Sequence, residues 1–280
     1  MNIKTLIDIA LREDKVFNDI TTKEFVGKDK TAKAVLIANK PGVLCGTRIF
    51  EKVYKTIDKK CRVSLKLKDG AFLKKGDKIL EVTGNACAIL SGERTALNFI
   101  QNLSGISTLT NEFVKLAEGS KTKIYDTRKT LPGYRELAKY AVVCGGGTNH
   151  RNDLSEMVLV KDNHISLSEN LADKVKKFKK KYKSIPVEIE CENINQVKHS
   201  LEAKADVIML DNTGVSNTKK MIALIRENSI NGYKPEIEIS GGVNLKTVKK
   251  LSKLGADRIS VGMITHSAPA LDITLEITIK

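Results

Sequence analysis

The feature of this sequence that most restricts its fold is a regular alternation, from Lys123 onwards, of short apolar segments with segments of helix length. The apolar segments have the length and composition of buried strands, and the gaps between them suit amphipathic helices at 171–182, 194–203, 218–225 and 245–254. Strands spaced in this way pair in parallel, so an α/β barrel and a doubly wound sheet are both open. The six predicted strands start near residues 123, 157, 186, 207, 236 and 258.

Polar and charged residues follow the predicted strands at the points where the strands end. In a barrel, the carboxyl ends of the strands form one rim, where active sites are built. Taken singly, each of these residues is explained about equally well by a structural role, such as a surface ion pair or a cap, as by a role in a binding site. Together they favour a site for a polyanionic sugar phosphate and a small acid. The residues are Arg128, Lys129, His150, Arg151, Lys161, Glu190, Asp211, Ser240, Gly241, Gly242 and Gly262.

The stretch 123–151 combines the first predicted strand with two groups of cations. Residues 128–129 follow the strand directly, and residues 149–151 follow three consecutive glycines at 145–147. Glycine frees the backbone from steric limits, and cations at a strand end beside a glycine-rich loop often form an anion site. The alternative is a pair of solvated basic loops.

Two segments near the end of the chain predict a phosphate site. Ser240, Gly241 and Gly242 precede a predicted helix that starts near Asn244, and the segment 261–263 ends the last strand. Glycines at such positions let backbone N–H groups approach phosphate oxygens. Loops after the late strands of barrels commonly bind phosphate.

The first hundred residues predict a small mixed α/β domain. A helix is expected over 47–57, strands over 34–38, 63–67 and 79–82, and a long helical stretch from Ser91 that bridges two domains. Arg94 lies near the start of that stretch, and such an arginine is more often a surface ion-pair member than a ligand-binding group.

Charge and cysteine content limit the function classes. The net charge of +15 admits nucleic acid, an anionic surface or anionic small substrates as partners. Aromatic residues make up only 5%, however, and the lysine run at 176–183 lacks base-stacking residues, which argues against nucleic acid.

The five cysteines are at least sixteen positions apart, which excludes paired zinc or redox spacings, so we expect reduced thiols. An amphipathic first helix and the lack of a long apolar run predict a cytoplasmic protein.

Several segments have an order and spacing that resemble the quinolinate phosphoribosyltransferase family, also called carboxylating nicotinate-nucleotide pyrophosphorylases. The resemblance runs from about Asp19 to the C-terminus. It implies an α/β protein with an incomplete, six-stranded α/β barrel over 107–266 and an N-terminal α/β sandwich over 1–106, joined by the tail 267–280. The segments are YDTRKTLPGYRELAKYAVVCGGGTNHR, MVLVKDNHI, VEIE, VIMLDN, EISGGVN and ISVGMITHSAPALDITLEI.

The resemblance implies transfer of phosphoribose from phosphoribosyl pyrophosphate (PRPP) to quinolinate with loss of its 2-carboxylate. It implies Mg²⁺ bound with PRPP near Glu190 and Asp211, and a homodimer with shared active sites, with assembly into a hexamer left open. Catalytic roles fall on Lys129, Glu190 and Asp211. The substrate-binding residues are Arg94, Thr127, Arg128, Lys129, His150, Arg151, Lys161, Glu190, Asp211, Ser240, Gly241, Gly242, Val261, Gly262 and Met263.

One residue departs from the family pattern, since Thr148 stands where many relatives have histidine. Three alternatives stay open on the sequence alone. They are a paralogue associated with molybdenum transport, an inactive sugar-phosphate-binding module, and a nucleic-acid binder. Cations at successive strand ends favour the enzyme.

Overall fold

The structure is a computed structural model and describes residues 2–167, 170–229 and 232–279. These residues divide into two compact units. The first consists of the described residues of 1–111, 130–146 and 264–280, and the second of those of 112–129 and 147–263. The domain boundaries expected from the resemblance stay a prediction. Residues 1 and 280, which that expectation includes, lie outside the described residues.

The helices and strands are numbered in chain order. The helices are α1 (Ile3–Glu13), α2 (Ile20–Phe25), α3 (Thr47–Ile57), α4 (Ala86–Ala117), α5 (Arg135–Cys144), α6 (Asp162–Ser166), α7 (Leu171–Lys181), α8 (Ile194–Glu202), α9 (Gly214–Glu227), α10 (Val248–Leu251) and α11 (Met263–His266). The strands are β1 (Thr31–Ala38), β2 (Gly42–Val43), β3 (Arg62–Leu65), β4 (Phe72–Leu73), β5 (Lys78–Asn85), β6 (Lys123–Tyr125), β7 (Val158–Val160), β8 (Val187–Cys191), β9 (Val207–Asp211), β10 (Glu236–Ser240), β11 (Arg258–Ser260) and β12 (Ile273–Ile279).

The first unit is built on a four-stranded sheet in the order β12–β1–β5–β3, in which neighbouring strands are antiparallel. Along β1 every second residue is buried, as expected when one face of a strand packs on a core. The C-terminal strand β12 extends this sheet, with Leu36 opposite Leu275. The last residues of the chain therefore complete a sheet that begins near residue 31.

Helix α4 is the longest element of the chain, with 32 residues. Leu97, Ile100 and Leu103 are buried at steps of three and four residues, which is the spacing of one helix face. A Cβ at Gly105 would lie 2.0 Å from the carbonyl oxygen of Pro269. The close approach of the segment before β12 to this helix therefore requires glycine at position 105.

The second unit contains the predicted parallel sheet. Its six strands have the order β6–β11–β10–β9–β8–β7, and all described pairs are parallel. Strands β6 and β7 lie at the two edges, so the ladder does not close within the described residues. The six predicted strands are confirmed, and the open ladder agrees with an incomplete barrel.

Two local details differ from the sequence predictions. The segment 245–254, predicted to be one helix, consists of a turn at 245–247, then α10, then a 3₁₀ turn at 252–254. The turn forms before α10 because the side chains of Asn244 and Thr247 form hydrogen bonds with nearby backbone groups. The helix predicted over 218–225 starts earlier, at Gly214.

Helices long and apolar enough to cross a bilayer are absent from the described part of the chain.

Candidate active site

The end of strand β6 brings together the two cation groups that the sequence separates by about twenty residues. Asp126 is fully buried, and its Oδ1 accepts a hydrogen bond from the backbone N–H of His150 at 2.8 Å. Thr148 pairs in parallel with Tyr125, and its backbone N–H donates to Ile124 O at 2.8 Å. The glycine-rich loop therefore returns to the edge of the sheet beside β6. Thr148, the threonine that stands where many relatives have histidine, thus contributes backbone pairing with Tyr125.

The side chain of His150 points into a buried cluster of charges. Its Nε2 lies 3.1 Å from Glu188 Oε2 and 3.3 Å from Glu238 Oε2, and only 7% of the imidazole is exposed. The two glutamates are fully buried on β8 and β10. Arg258, also buried, contributes a cation to this cluster, with its Nε 3.5 Å from Glu238 Oε2. Ser260 donates a hydrogen bond to the other oxygen of Glu238.

These contacts change the acid–base behaviour of the cluster. Burial by itself lowers the pKa of His150, but the contacts and negative charges of Glu188 and Glu238 outweigh burial and raise this pKa to about 9. Burial and the charge of Glu238 raise the pKa of Glu188 to about 7. Burial also acts to raise the pKa of Glu238, but His150, Ser260 and Arg258 lower it below its ordinary value. His150, Glu188 and Glu238 therefore titrate as a coupled set rather than independently.

Arg128 and Arg151 form a cationic pair next to this cluster. Burial and the neighbouring charge of Arg128 lower the pKa of Arg151. Arg151 Nη1 donates to the carbonyl oxygen of Met157 at 2.9 Å, which fixes the direction of its guanidinium. The Nε of Arg128 is buried and has no hydrogen-bond partner among the described residues. Two partly buried guanidiniums that repel each other are stabilised by an anion placed between them.

Thr127 and Lys129 complete the loop after β6. Thr127 Oγ1 accepts a hydrogen bond from the backbone N–H of Lys129 at 3.1 Å, which tightens the turn, and Lys129 is exposed.

Lys161, Glu190 and Asp211 lie at the ends of the next three strands. Lys161 Nζ forms an ion pair with Glu190 Oε2 at 3.1 Å, and 49% of the lysine side chain but only 10% of the glutamate side chain is exposed. Asp211 is partly exposed, and its Oδ2 accepts a hydrogen bond from the amide of Asn212 at 2.6 Å. Asn212 carries no charge, so the negative charge of Asp211 remains available to a ligand.

The segment Ser240–Gly242 has the backbone geometry expected of a close-approach loop. Gly241 and Gly242 have φ values of +86° and +59°, in the left-handed region that favours glycine. A Cβ at Gly241 would lie 2.3 Å from Asn212 Oδ1, so position 241 accepts only glycine without rearrangement. The backbone of Asn212 is held there because its N–H donates to Ser240 O at 3.1 Å.

The remaining predicted site residues lie in two places. Val261 is buried and donates its backbone N–H to Tyr125 O at 2.9 Å, whereas Gly262 and Met263 are half-buried where α11 begins. The second unit therefore holds every predicted site residue except one. Arg94 is exposed on α4 in the first unit.

Sequence reasoning missed the buried charged groups beneath the rim. Glu188, Glu238 and Arg258 did not stand out, because charged residues within strands are normally expected on the solvent face. Asp126 directly follows β6 but was not predicted to be a site residue. The only signal was the presence of glutamates at alternate positions in two otherwise apolar strands, β8 and β10.

Comparison with known proteins gives matches over nearly the whole chain. A family model described as "Quinolinate phosphoribosyl transferase, N-terminal domain" matches residues 19–104, and "Quinolinate phosphoribosyl transferase, C-terminal domain" matches residues 106–276. The chain is 38% identical to the chloroplastic nicotinate-nucleotide pyrophosphorylase (carboxylating) of Arabidopsis thaliana, over 99% of this chain and 83% of the relative. It is 35% identical to the nicotinate-nucleotide pyrophosphorylase (carboxylating) of Mycobacterium leprae, over 96% of this chain and 94% of the relative.

Solved structures give the same result. The nicotinate-nucleotide pyrophosphorylase from Francisella tularensis superposes with a TM-score of 0.91 at 37% identity, covering 99% of this chain and 96% of that one.

Proposed function

This chain belongs to the quinolinate phosphoribosyltransferase family, and we propose that the rim of its parallel sheet is where it converts quinolinate and PRPP into nicotinate mononucleotide, pyrophosphate and CO₂. The reaction makes the chain a decarboxylating pentosyltransferase of NAD biosynthesis. We place it in the cytoplasm, as the sequence leads us to expect. The assignment of each residue to a part of the substrates follows from charge, burial and geometry.

The cationic pair Arg128–Arg151, with Lys161, is proposed to hold the two carboxylates of quinolinate. A guanidinium presents two parallel N–H donors that match a carboxylate, and a lysine adds a movable point charge. Burial and, after it, repulsion from Arg128 lower the pKa of Arg151, and a bound dianion relieves this repulsion, which favours a dianion over a monoanion. The ion pair with Glu190 limits where the Lys161 ammonium can point.

Lys129 is proposed to face the pyrophosphate group of PRPP, and His150 is proposed to act on its charge from the buried cluster beneath the rim. Negative charge develops on this group as the bond to the ribose carbon breaks, and preorganised cations stabilise it. Lys129 is exposed on its turn after β6, at the end of the sheet where the phosphates would lie. His150 is held in one orientation by its buried glutamates and adds positive charge when protonated.

Glu190 and Asp211 are proposed to contact the ribose hydroxyls and the Mg²⁺ that enters with PRPP. Carboxylate oxygens suit Mg²⁺, which is usually bound through one or two carboxylates and the phosphates of its substrate. Both carboxylates lie at ends of adjacent strands, and Asp211 has a neutral hydrogen-bond partner. Negative charge at this position also stabilises a ribosyl carbon that becomes cationic.

The segments 240–242 and 261–263 are proposed to bind the 5′-phosphate. The left-handed backbone at Gly241 and Gly242 has no Cβ to keep a phosphate oxygen away from the N–H groups. Strands β10 and β11 are neighbours in the sheet, so the two segments start from adjacent strand ends.

The observation that carries the proposal is the meeting of Arg128 and Arg151 at the end of β6, brought about by the buried Asp126. The direct test is to incubate the purified protein with quinolinate, PRPP and Mg²⁺ and to quantify all products. Nicotinate mononucleotide, pyrophosphate and CO₂ should appear in equal amounts, and Arg128→Ala should abolish them. Pyrophosphate without the mononucleotide would instead indicate simple hydrolysis of PRPP.

We further propose that the protein is a homodimer in which Arg94 completes the site of the partner. The support is that Arg94 is exposed on α4, in a different unit from the other site residues, and that a dianion needs a site closed to water. An isologous dimer makes the two sites equivalent. Whether dimers assemble into hexamers is a question for sedimentation.

Mixing two inactive variants tests the shared site. Arg94→Ala and Lys129→Ala should each be nearly inactive alone. After subunit exchange, half of the dimers are mixed and each has one intact site, so about a quarter of wild-type activity should return. Exchange confirmed by mass spectrometry with no return of activity would contradict sharing.

A further inference from the structure

Two cysteines in the first unit lie next to each other, and the proposed reaction uses neither. Cys45 follows β2 and is fully buried, whereas Cys144 is the last residue of α5 and is half-buried. The Sγ atoms of the two cysteines and a carboxylate oxygen of Asp69 all lie within 4.8 Å of one another, although the cysteines are about a hundred positions apart in the sequence. The pair is not visible in the sequence, because its members lack the short spacing of a redox motif.

Helix α4 holds the backbones of both cysteines. The N–H of Cys45 donates to Ser104 Oγ at 3.0 Å, and the same hydroxyl donates back to Cys45 O at 3.1 Å. At the other cysteine, Ser107 Oγ donates to Ala141 O at 2.8 Å within α5. A Cβ at Gly145 would lie 2.4 Å from Ser107 O, so the end of α5 is in direct contact with α4. The proximity of the two thiols is therefore a property of the packed backbone.

The groups around the pair make the two thiols unequal. Tyr140 donates its hydroxyl to Asp69 Oδ2 at 3.0 Å, and this carboxylate also accepts from the N–H of Thr47. The hydrogen bond with Cys45 lowers the pKa of Cys144. Burial acts in the opposite direction, and a hydrogen bond with Tyr140 lowers this pKa further. The hydrogen bond with Cys144, together with burial, raises the pKa of Cys45. Cys144 is thus the thiol that ionises first and the better nucleophile.

Cys144 is half-buried and so is partly open to solvent, and a cavity lies beside its neighbours Asp69 and Tyr140. It has a volume of about 310 Å³, and Asp69 and Tyr140 form part of its lining together with Arg48 and Lys52. A molecule the size of water takes up about 30 Å³. Hydrogen peroxide is only slightly larger, so it fits this cavity easily.

We propose that Cys45 and Cys144 form a reversible disulfide when the protein meets hydrogen peroxide. The Cys144 thiolate attacks one peroxide oxygen, the O–O bond breaks, and a sulfenic acid and hydroxide form. The Cys45 thiol then attacks the Cys144 sulfur, the S–O bond breaks, and the hydroxyl group leaves as water with the thiol proton. Two thiols and one peroxide give one disulfide and two waters, and a dithiol reductant reverses the change.

This disulfide would cross-link two distant parts of the first unit. Cysteines that form disulfides inside cells are usually redox-sensing or catalytic rather than structural. Three glycines separate Cys144 from the segment that carries Thr148, His150 and Arg151, so the cross-link would fix the chain just before a proposed binding segment.

Peptide mapping of the intact protein tests the proposal. The wild-type protein, kept with a metal chelator, is treated with one to five equivalents of hydrogen peroxide, alkylated and digested without reduction. We expect one linked peptide that joins Cys45 to Cys144, a melting temperature raised by about 5 °C or more, and loss of both on addition of dithiothreitol. Because the readout is mass and melting temperature, failure of the proposed enzymatic function would not affect it.

Single variants test the order of the two steps. In Cys45→Ser, a sulfenic acid should persist on Cys144 and react with dimedone, whereas Cys144→Ser should give no dimedone adduct at Cys45. Cys87→Ser is the matched control, because Cys87 is also half-buried and contacts Val26 O instead, and it should oxidise as the wild type does. The proposal is overturned if both thiols remain alkylatable after peroxide in the wild-type protein, a result that does not depend on the folding of any variant.

Discussion

The buried His150 cluster makes a quantitative prediction for Glu188→Gln. A pKa of about 9 for His150, against an ordinary value of 6.5, corresponds to about 3 kcal/mol in favour of the imidazolium in the folded state. One interaction opposes it, since His150 Nδ1 accepts the N–H of Arg151 at 2.8 Å and protonation removes that acceptor. A single hydrogen bond contributes about 1 kcal/mol, so the imidazolium still prevails at neutral pH.

The sign of the pH dependence follows from these shifts. The folded pKa of His150 is raised, so its contribution to the free energy of unfolding is complete below pH 6.5 and is lost as the pH rises through about 9. The raised pKa of Glu188 also makes stability fall with rising pH, between its ordinary value of 4.5 and about 7. The glutamine variant removes the second effect and reduces the first, so unfolding free energy should depend less on pH between 5 and 9.

Imidazole NMR measures the prediction directly, because the chain has only four histidines. In the wild-type protein His150 should titrate well above 6.5, with the proton on Nε2 in the neutral form, and Glu188→Gln should lower this pKa by about one unit. Glu192→Gln is the matched control, because Glu192 is an exposed glutamate that directly follows β8, the strand that carries Glu188, and this change should leave the pKa of His150 as it is. A wild-type pKa at or below 6.5, or no change in Glu188→Gln, would refute the reasoning.

Two further predictions concern catalysis and stability. Glu190→Gln and Asp211→Asn should each lower kcat by about a hundredfold and change the KM for quinolinate less, as measured by steady-state kinetics. An unchanged kcat in both variants would show that the two carboxylates have only a structural role. Gly105→Ala should lower the free energy of unfolding in urea by about 3 kcal/mol, because its Cβ meets the carbonyl of Pro269, and wild-type stability would contradict this packing.

The sequence predicted the strands of the second unit because buried parallel strands are continuous apolar runs separated by helices. It also predicted the rim, since the end of each strand is visible as a change from apolar to polar residues. Arg128 and Lys161 were placed at strand ends in this way, whereas Arg151 was singled out by the glycine-rich loop before it, and their binding roles stay predictions.

Contacts between distant segments could not be read from the sequence. The role of Asp126 depends on the return of Thr148 to the sheet edge, and Glu188 and Glu238 meet His150 only through the order of the strands. The turn before α10 replaced a predicted helical start because local side-chain bonds competed with the apolar pattern. The pairing of Cys45 with Cys144 likewise arises from packing on α4.

Arg128 and Arg151 together are proposed to select a dicarboxylate. A competition assay between a dicarboxylate and a monocarboxylate tests this selection. Unlabelled quinolinate and ring-¹³C-labelled nicotinate are mixed with PRPP, Mg²⁺ and the enzyme, and the mass of the nicotinate mononucleotide reports its source. A site built to bind a group rejects an analogue that lacks it by about a thousandfold or more. We predict that nearly all product is unlabelled. Equal amounts of labelled and unlabelled product would contradict the claim.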